Sequence, residues 1–462
     1  MQSNDPRPNI VLLTDSYKVS HYLQYPPGTQ HVYSYFESRG GEFPEVVFFG
    51  LQYYLQHYLA GQVVTAEHID AADQLLAQHF AAGSLFNRDG WLHILNRHSG
   101  RLPIRIRAVP EGTPVPTGNV LMTIENTDPE CFWLSNYLET LLVQVWYPST
   151  VATQSRAMKR TLLDSLRRTG DPSLIDFKLH DFGFRGVSSV ESAGTGAAAH
   201  LVNFRGTDTL AGIVMARDYY QEDMAGFSIP AAEHSTVTSW GRTHEIDAMR
   251  NMLLQFPTGP VAVVSDSFDI YHACSQLWGV ELRAEVLERD GVLVVRPDSG
   301  DPPTVVVEVL KRLGEAFGTR VNPLGFRLLD PHVRVIQGDG IDRQMLKRIL
   351  QAMERAGWSA DNIAFGSGGG LLQKLNRDTC RFAFKCSSVT IAGQQRDVYK
   401  QPVTDSSKQS KAGRLRLVRR QGELTTVPES ATSEADCLQT VFLNGELVEP
   451  TCFADIRARA QL

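Results

Sequence analysis

Four short apolar runs punctuate the middle of the chain. VAVVSDS (261–267), VLVVRPDSG (292–300), VRVIQGDG (333–340) and NIAFGSGGG (362–370) are each rich in β-branched residues and each end on acidic or glycine positions. Between them lie segments with helical spacing, HACSQLWGVELRAEVL and DRQMLKRILQAMERAG. Continuously apolar runs alternating with helices predict parallel strands buried on both faces. Repeated strand–helix units predict an α/β barrel or a doubly wound sheet. The flanks differ. Residues 1–150 mix strands (RLPIRIRAVPEG, NVLMTIENTD) with helices (FGLQYYLQHYLAG, CFWLSNYLETLLVQVW), and residues from about 380 onward alternate in β fashion (RFAFKCSSVTIAG, RLRLVRRQGELTTV). The expected organisation is a catalytic α/β domain over 151–379 and an α+β domain built from both chain ends, 1–150 plus 380–462.

In barrels and open parallel sheets, ligands bind beyond the carboxyl ends of the strands. Asp266, Asp298, Asp339 and the glycines of GSGGG all fall there. One such aspartate is as readily a helix cap or a turn residue. Three in succession, followed by a polyglycine turn, point to a shared site.

Several motifs add chemistry. GSGGG (366–370) lets backbone N–H groups turn onto a phosphate, but it lacks the Gly-Lys-Ser/Thr of a Walker loop. RPDSGDP sets Arg296 two residues before Asp298, an anion-binding group beside one suited to sugar hydroxyls or hydrated Mg²⁺; a local salt bridge is the simpler alternative. KLHDFGFRGVSS offers Phe182 and Phe184 with Arg185, a face for a flat ring beside an anion site, although such aromatics are more often core. FRGTDTLAG puts Asp208 where a helix cap is the plainer reading. In PAAEHSTVTSWG, Val237, Trp240, His244, Met249, Met252 and Phe256 recur at helical spacing, which predicts one helix from about residue 236 with His234 and Ser235 at its N-terminus. The residues themselves take this no further than a phosphate site with an imidazole beside it.

Composition narrows the classes. A chain of 462 residues is long enough for two domains, and a net charge of −6 argues against a broad nucleic-acid surface. No apolar run reaches membrane-span length, and the start MQSNDPRPN lacks a signal-peptide core. The six cysteines are scattered without a CxxC pair, so reduced thiols in a cytoplasmic setting are expected and a structural zinc site is not. The polar stretch QPVTDSSKQSKAGR (401–414) reads as a surface loop.

Taken together and in order, TDSYKVSHYLQYPPGT, ENTDPECFWL, LHDFGFRGVSS, FRGTDTLAG, PAAEHSTVTSWG, VVSDSFDIY, VVRPDSGDP, VIQGDG and IAFGSGGGLLQKLNRD resemble the nicotinamide phosphoribosyltransferase family of type II phosphoribosyltransferases. The resemblance runs from about residue 9 to the end. It implies an irregular α/β barrel joined to a second domain, working as a homodimer with active sites shared between subunits. It implies transfer of the ribosyl phosphate of phosphoribosyl pyrophosphate to nicotinamide in NAD salvage, with Mg²⁺ held mainly through substrate phosphates and ATP as co-substrate. Neither nucleic acid nor membrane is an implied partner.

The resemblance also implies roles. Phe182 and, from the partner subunit, Tyr17 would stack on the nicotinamide ring, with Asp15 nearby, and Asp208 would accept from the carboxamide. Arg185, Arg296, Gly338, Asp339, Gly368 and Gly369 would line the ribose and phosphate pockets, with Ser228, Ala231 and Ser265 also contacting substrate. Asp298 would hold the ribose hydroxyls. Arg39, Arg377, Lys385, Lys400 and Lys408 would gather pyrophosphate and ATP phosphates. His234 would accept a phosphoryl group from ATP, oriented by Asp266 and Asp269. Phe177 stands where the family usually has tyrosine, which implies altered affinity for ring analogues. The segment SRGGEFPEVVFFG (38–50) is shorter than in vertebrate relatives. Asp208 argues against the nicotinate-specific alternative, and His234, Arg296, Asp298 and GSGGG argue against a non-enzymatic binding protein; a sugar-phosphate aldolase would need a reactive strand lysine or a clear metal set, and the sequence offers neither.

Overall fold

The computed structural model describes residues 7–80, 83, 85–401, 404 and 410–462. Contacts within the chain group it into two compact units: Met1–Thr153 with Tyr219–Gln221 and Leu375–Gln461, and Gln154–Asp218 with Glu222–Lys374.

The second unit is built on a six-stranded, all-parallel sheet. In spatial order its strands are Gly206–Thr207, Leu179–Asp181, Ile363–Ser367, Val333–Gln337, Asp290–Arg296 and Thr258–Val264. The four apolar runs of the sequence supply four of these, and helices such as Pro302–Phe317 and Arg343–Arg355 return the chain between them. Residues 227–231 join the two edges, because Phe227 bridges Gly206 and Ala231 bridges Ala262, both in parallel. The sheet therefore curves into an irregular barrel. Its strands read as unbroken apolar runs for a visible reason. Ala262, Val294 and Ile336 pack together on one face with Phe182, Ile229 and Ala364. Their neighbours Val263, Val295 and Val335 are fully buried as well.

Register fixes where the site falls. Val264 pairs with Arg296, Gln337 with Phe365, Ser367 with Asp181, and Asp181 with Thr207. The residues that follow each strand, Asp266, Asp298, Gly338, Gly368, Phe182 and Asp208, thus emerge at one end of the barrel. Lys178 opens the same strand region at the opposite end of Leu179–Asp181, where its buried Nζ donates to the carbonyls of Ala360, Asp361 and Ile363.

The first unit contains a seven-stranded antiparallel sheet. Thr29–Ser38 lies between Val120–Asn126 and Phe382–Ile391, so strands from both chain ends interleave. Side chains on Thr29–Ser38 are buried almost throughout, which explains why this strand gives little polar alternation. No helix among the described residues is long and apolar enough to cross a membrane. Every cysteine is a free thiol.

One expected element is different. The predicted helix from about 236 is a five-residue helix, His234–Thr238, then a break at Gly241, then the helix Glu245–Gln255. Gly241 takes φ +85°, a left-handed conformation that ends the first helix and that a side chain would resist. The dipole available at His234 is accordingly that of little more than one turn.

Candidate active site

A cleft of about 830 Å³ opens at the strand-end face of the parallel unit. Phe182, Arg185, Asp208, Ser228, Ala231, His234, Arg296, Asp298, Gly338, Asp339, Gly368 and Gly369 all line it. The Phe182 ring is pinned by its surroundings. Its amide donates to Ser367 O at 2.9 Å, and a Cβ on Gly366 would sit 1.9 Å from Phe182 Cε2. Only glycine lets the ring lie against that strand. The Arg296 guanidinium stands 5.8 Å from the centre of the same ring and is forked onto Asp298, with Nη2 at 2.9 Å from both carboxylate oxygens. The local salt bridge is thus real, and it fixes both groups at the cleft wall instead of removing them from it. Asp208 stands exposed, and its Oδ1 accepts the Ser228 hydroxyl. Below it, Asp181 is buried, takes hydrogen bonds from Gly183 N and Thr207 Oγ1, and has its carboxyl pushed up by burial.

His234 begins its short helix at the edge of this cleft. Its Nε2 lies 2.9 Å from Asp266 Oδ1, and Asp266 Oδ2 accepts the Asp298 amide at 3.2 Å. The Asp266 side chain is nearly buried, while the imidazole is half exposed. The carboxylate therefore fixes one ring nitrogen and orients the imidazole at the cleft edge.

A second cleft, of about 940 Å³, lies within the other unit. Asp15, Tyr17, Arg39, Arg377 and Lys385 line it, together with Lys18, Glu139 and Arg381. The register of Thr29–Ser38 against Phe382–Ile391 places Lys385 opposite Tyr35, and Arg39 follows the strand. Burial pushes the Lys385 ammonium down, and Arg39, Arg377 and Lys18 push the same way against Glu139. Arg39 Nε donates to Glu37 Oε1 at 2.7 Å, but its buried Nη2 has no hydrogen-bond partner. A cluster of cations with an unsatisfied guanidinium nitrogen suits an anionic ligand. Tyr17 is 60 % exposed, held only edge-on by His21 with Lys18 over its ring.

Residues 177–446 match the model of the nicotinate phosphoribosyltransferase family, and residues 9–106 match the nicotinamide phosphoribosyltransferase N-terminal domain. The chain is 54 % identical over 463 residues to the nicotinamide phosphoribosyltransferase of Xanthomonas campestris pv. campestris, covering 98 % of each chain. It is 32 % identical over 498 residues to that of Acinetobacter baylyi, covering 98 % of this chain and 97 % of the relative. The chain belongs to the nicotinamide phosphoribosyltransferase family. Its fold is that of the type II phosphoribosyltransferases: it resembles human nicotinic acid phosphoribosyltransferase with a TM-score of 0.61 at 17 % identity, over 97 % of this chain and 93 % of that one. It also resembles the Pyrococcus furiosus nicotinate-nucleotide pyrophosphorylase, with a TM-score of 0.58 at 16 % identity over 100 % and 97 % of the two chains.

Not every expected residue of this phosphoribosyltransferase lines a cleft. Ser265 is fully buried; its hydroxyl donates to Val263 O and accepts from Trp278 Nε1. Asp269 caps the helix Ile270–His272, accepting from the amides of Tyr271 and His272. Lys400 is exposed beyond the strand Gln394–Asp397, with its backbone paired to Ser410. Lys408 lies outside the described residues, as do 402, 403, 405–407 and 409 of the expected surface loop. Phe177 is half exposed, its ring 6.2 Å from that of Phe227. Conversely, the strand-end cleft holds His180, Thr209 and Glu233, to which motif reading gave no role. Strand alternation contained the signal for His180, two residues before Phe182 on one face. Burial pushes its imidazole down and the Asp208 carboxylate pulls it back up.

Proposed function

We propose that this enzyme converts nicotinamide and phosphoribosyl pyrophosphate into nicotinamide mononucleotide and pyrophosphate, as a step of NAD salvage. The observation that carries the choice of base is Asp208. Its carboxylate is exposed in the cleft that the Phe182 ring also lines, where it would accept a hydrogen bond from a carboxamide NH₂ and repel the carboxylate of nicotinate. The names of the two bacterial relatives favour the same base.

In this reading the nicotinamide ring lies on Phe182. The ring nitrogen forms a bond to C1′ of the ribose as the bond from C1′ to the pyrophosphate oxygen breaks. Pyrophosphate leaves with its electron pair, so charge grows positive on the ribose and negative on the leaving group. The base is a neutral nucleophile and gives up no proton, so positioning and charge stabilisation carry the catalysis. Asp298 offers its carboxylate to the ribose hydroxyls, and Asp339 offers a hard oxygen donor at the cleft wall that fits a hydrated Mg²⁺ held mainly through the substrate phosphates, where it would neutralise the departing pyrophosphate. Arg185 and Arg296, with the backbone of Gly338, Gly368 and Gly369, bind the ribose and its phosphate.

His234 is the acceptor of a phosphoryl group. Nδ1 attacks the terminal phosphorus of ATP, the bond to ADP breaks, and water later takes the group as phosphate. The hydrogen bond from Nε2 to Asp266 supports this assignment, since it orients the ring and stabilises the cation formed on phosphorylation. The cationic cleft of Arg39, Arg377 and Lys385, with Tyr17 on its rim, supports a homodimer in which a second copy completes each site. Free thiols agree with a reducing, cytoplasmic setting.

The experiment is a product assay with phosphoribosyl pyrophosphate and Mg²⁺, offering nicotinamide or nicotinate, each with and without ATP. Mononucleotide from nicotinamide, increased by ATP, is the expected result. Product mainly from nicotinate overturns the base assignment, and no product from either overturns the activity.

A further inference from the structure

In the first unit, four side chains of ligand type converge that the sequence keeps apart. The ligating atoms of His93, His98, Asp128 and Cys131 all lie within 4.8 Å of one another. None of the four lines the cationic cleft of that unit. His93 sits on the helix Arg88–Arg97 and His98 closes it. Asp128 and Cys131 bracket the single turn Pro129–Cys131, with the Cys131 amide donating to Asp128 O at 3.0 Å. The two histidines are five positions apart and Asp128 and Cys131 three, but Asp128 follows His98 by thirty positions.

The arrangement is held from behind. Trp91, on the same helix as His93, is fully buried and packs edge-on against Trp133, two residues beyond Cys131, and against Tyr137. The buried Asn126 side chain donates to Asp128 O at 2.7 Å and accepts from Val32 N at 2.9 Å, which ties the turn to the central strand. Both imidazoles then aim Nε2 at one oxygen: His93 at 2.8 Å and His98 at 2.6 Å from Asp128 Oδ2. These hydrogen bonds hold the Asp128 carboxyl down near 2 although burial opposes it. Asp128 Oδ1 accepts the Glu130 amide, so Oδ2 is the oxygen turned toward the imidazoles.

We propose that His93, His98, Asp128 and Cys131 form a structural site for a divalent transition metal of the zinc class. Two imidazole nitrogens, one carboxylate oxygen and one thiolate are the donors such ions take in tetrahedral sites, and they do not suit Mg²⁺ or Ca²⁺. The charge closes as well: one carboxylate and one thiolate neutralise a dication, leaving an uncharged site in half-buried surroundings. Binding forms a metal–sulfur bond and breaks the Cys131 S–H bond, and the proton goes to solvent. The ion would clamp the helix Arg88–Arg97 to the turn Pro129–Cys131, next to the strand Val120–Asn126. This role is independent of the transfer chemistry.

The test uses the full-length protein, stripped with a chelator and titrated with Co²⁺ and then Zn²⁺ without nucleotide or pyrophosphate. One equivalent of Co²⁺ per chain is expected, with tetrahedral d–d absorption and a near-ultraviolet thiolate-to-metal band, both abolished by Zn²⁺, and a higher melting temperature with Zn²⁺. His98→Asn should weaken uptake by at least about a hundredfold, and Cys131→Ser should remove the thiolate band. Wild-type protein that shows no thiolate band and no Zn²⁺-dependent rise in melting temperature overturns the proposal, whether or not the variants fold. So does a folded Cys131→Ser that binds Co²⁺ with the wild-type spectrum.

Discussion

Asp266 holds two parts of the cleft at once: Oδ1 is 2.9 Å from His234 Nε2, and Oδ2 accepts the backbone amide of Asp298 at 3.2 Å. The nucleophile proposed for phosphoryl transfer and the aspartate proposed for ribose binding are thereby tied to one carboxylate. Asp266→Asn keeps the shape but exchanges a charged acceptor for a neutral amide. Stimulation by ATP is expected to fall at least about tenfold, as for loss of a group that orients a catalytic base, while transfer without ATP changes less. His234→Ala should remove the stimulation and leave basal transfer. Initial rates with and without ATP decide it: an unchanged ATP response in His234→Ala rejects the phosphohistidine, and one in Asp266→Asn rejects the orienting role of Asp266.

Asp208 tests the base. A hydrogen bond to a charged group contributes roughly 1.5–3 kcal/mol, so Asp208→Ala should shift the ratio of kcat/KM for nicotinamide over nicotinate by about tenfold or more. The two kcat/KM values measured side by side are the check, and a ratio that does not move leaves Asp208 a structural residue.

Gly366→Ala probes the ring platform. The added methyl would lie 1.9 Å from Phe182 Cε2, so the ring must leave its present place on the cleft wall. KM for nicotinamide should rise about tenfold with a stability loss of about 1–3 kcal/mol, typical of overpacking. A steady-state KM for the base equal to wild type would show that the ring position does not matter.

Sharing of sites is read by complementation. Tyr17→Ala and Arg296→Ala subunits, each inactive alone, are mixed and the heterodimers purified. One of the two sites in such a dimer would be intact, giving up to about half of the wild-type rate. Confirmed heterodimers without activity would mean that each chain carries a whole site.

His200 predicts an acid-sensitive fold. It is fully buried, with Ser155 Oγ 2.9 Å from Nδ1 and Leu179 O 3.2 Å from Nε2, a pairing that suits the neutral ring. Burial lowers its pKa to about 3, against about 6.5 when unfolded. The unfolded chain then binds the extra proton between these values, so the stability from the neutral ring is complete above about pH 6.5 and is lost as pH falls toward 3. Denaturant melts across that window should show a slope that His200→Gln reduces. An identical slope in the two proteins would reject the buried neutral histidine.

The sequence alone determined the parallel strands, because burial on both faces leaves unbroken apolar runs that no surface strand can imitate. It also determined that Asp298, Asp339 and the glycines belong together, since strand ends of a parallel sheet share one edge. Tertiary structure decided what depends on neighbours remote in the chain. The break at Gly241 needed a left-handed backbone angle that helical spacing cannot reveal. Ser265 and Asp269 follow the same strand as Asp266, yet their oxygens are taken by Trp278 and by the next helix, so only one of the three turns to His234. The same limit hid His93, His98, Asp128 and Cys131, whose side chains meet only once a helix and a distant turn have packed on the tryptophans between them.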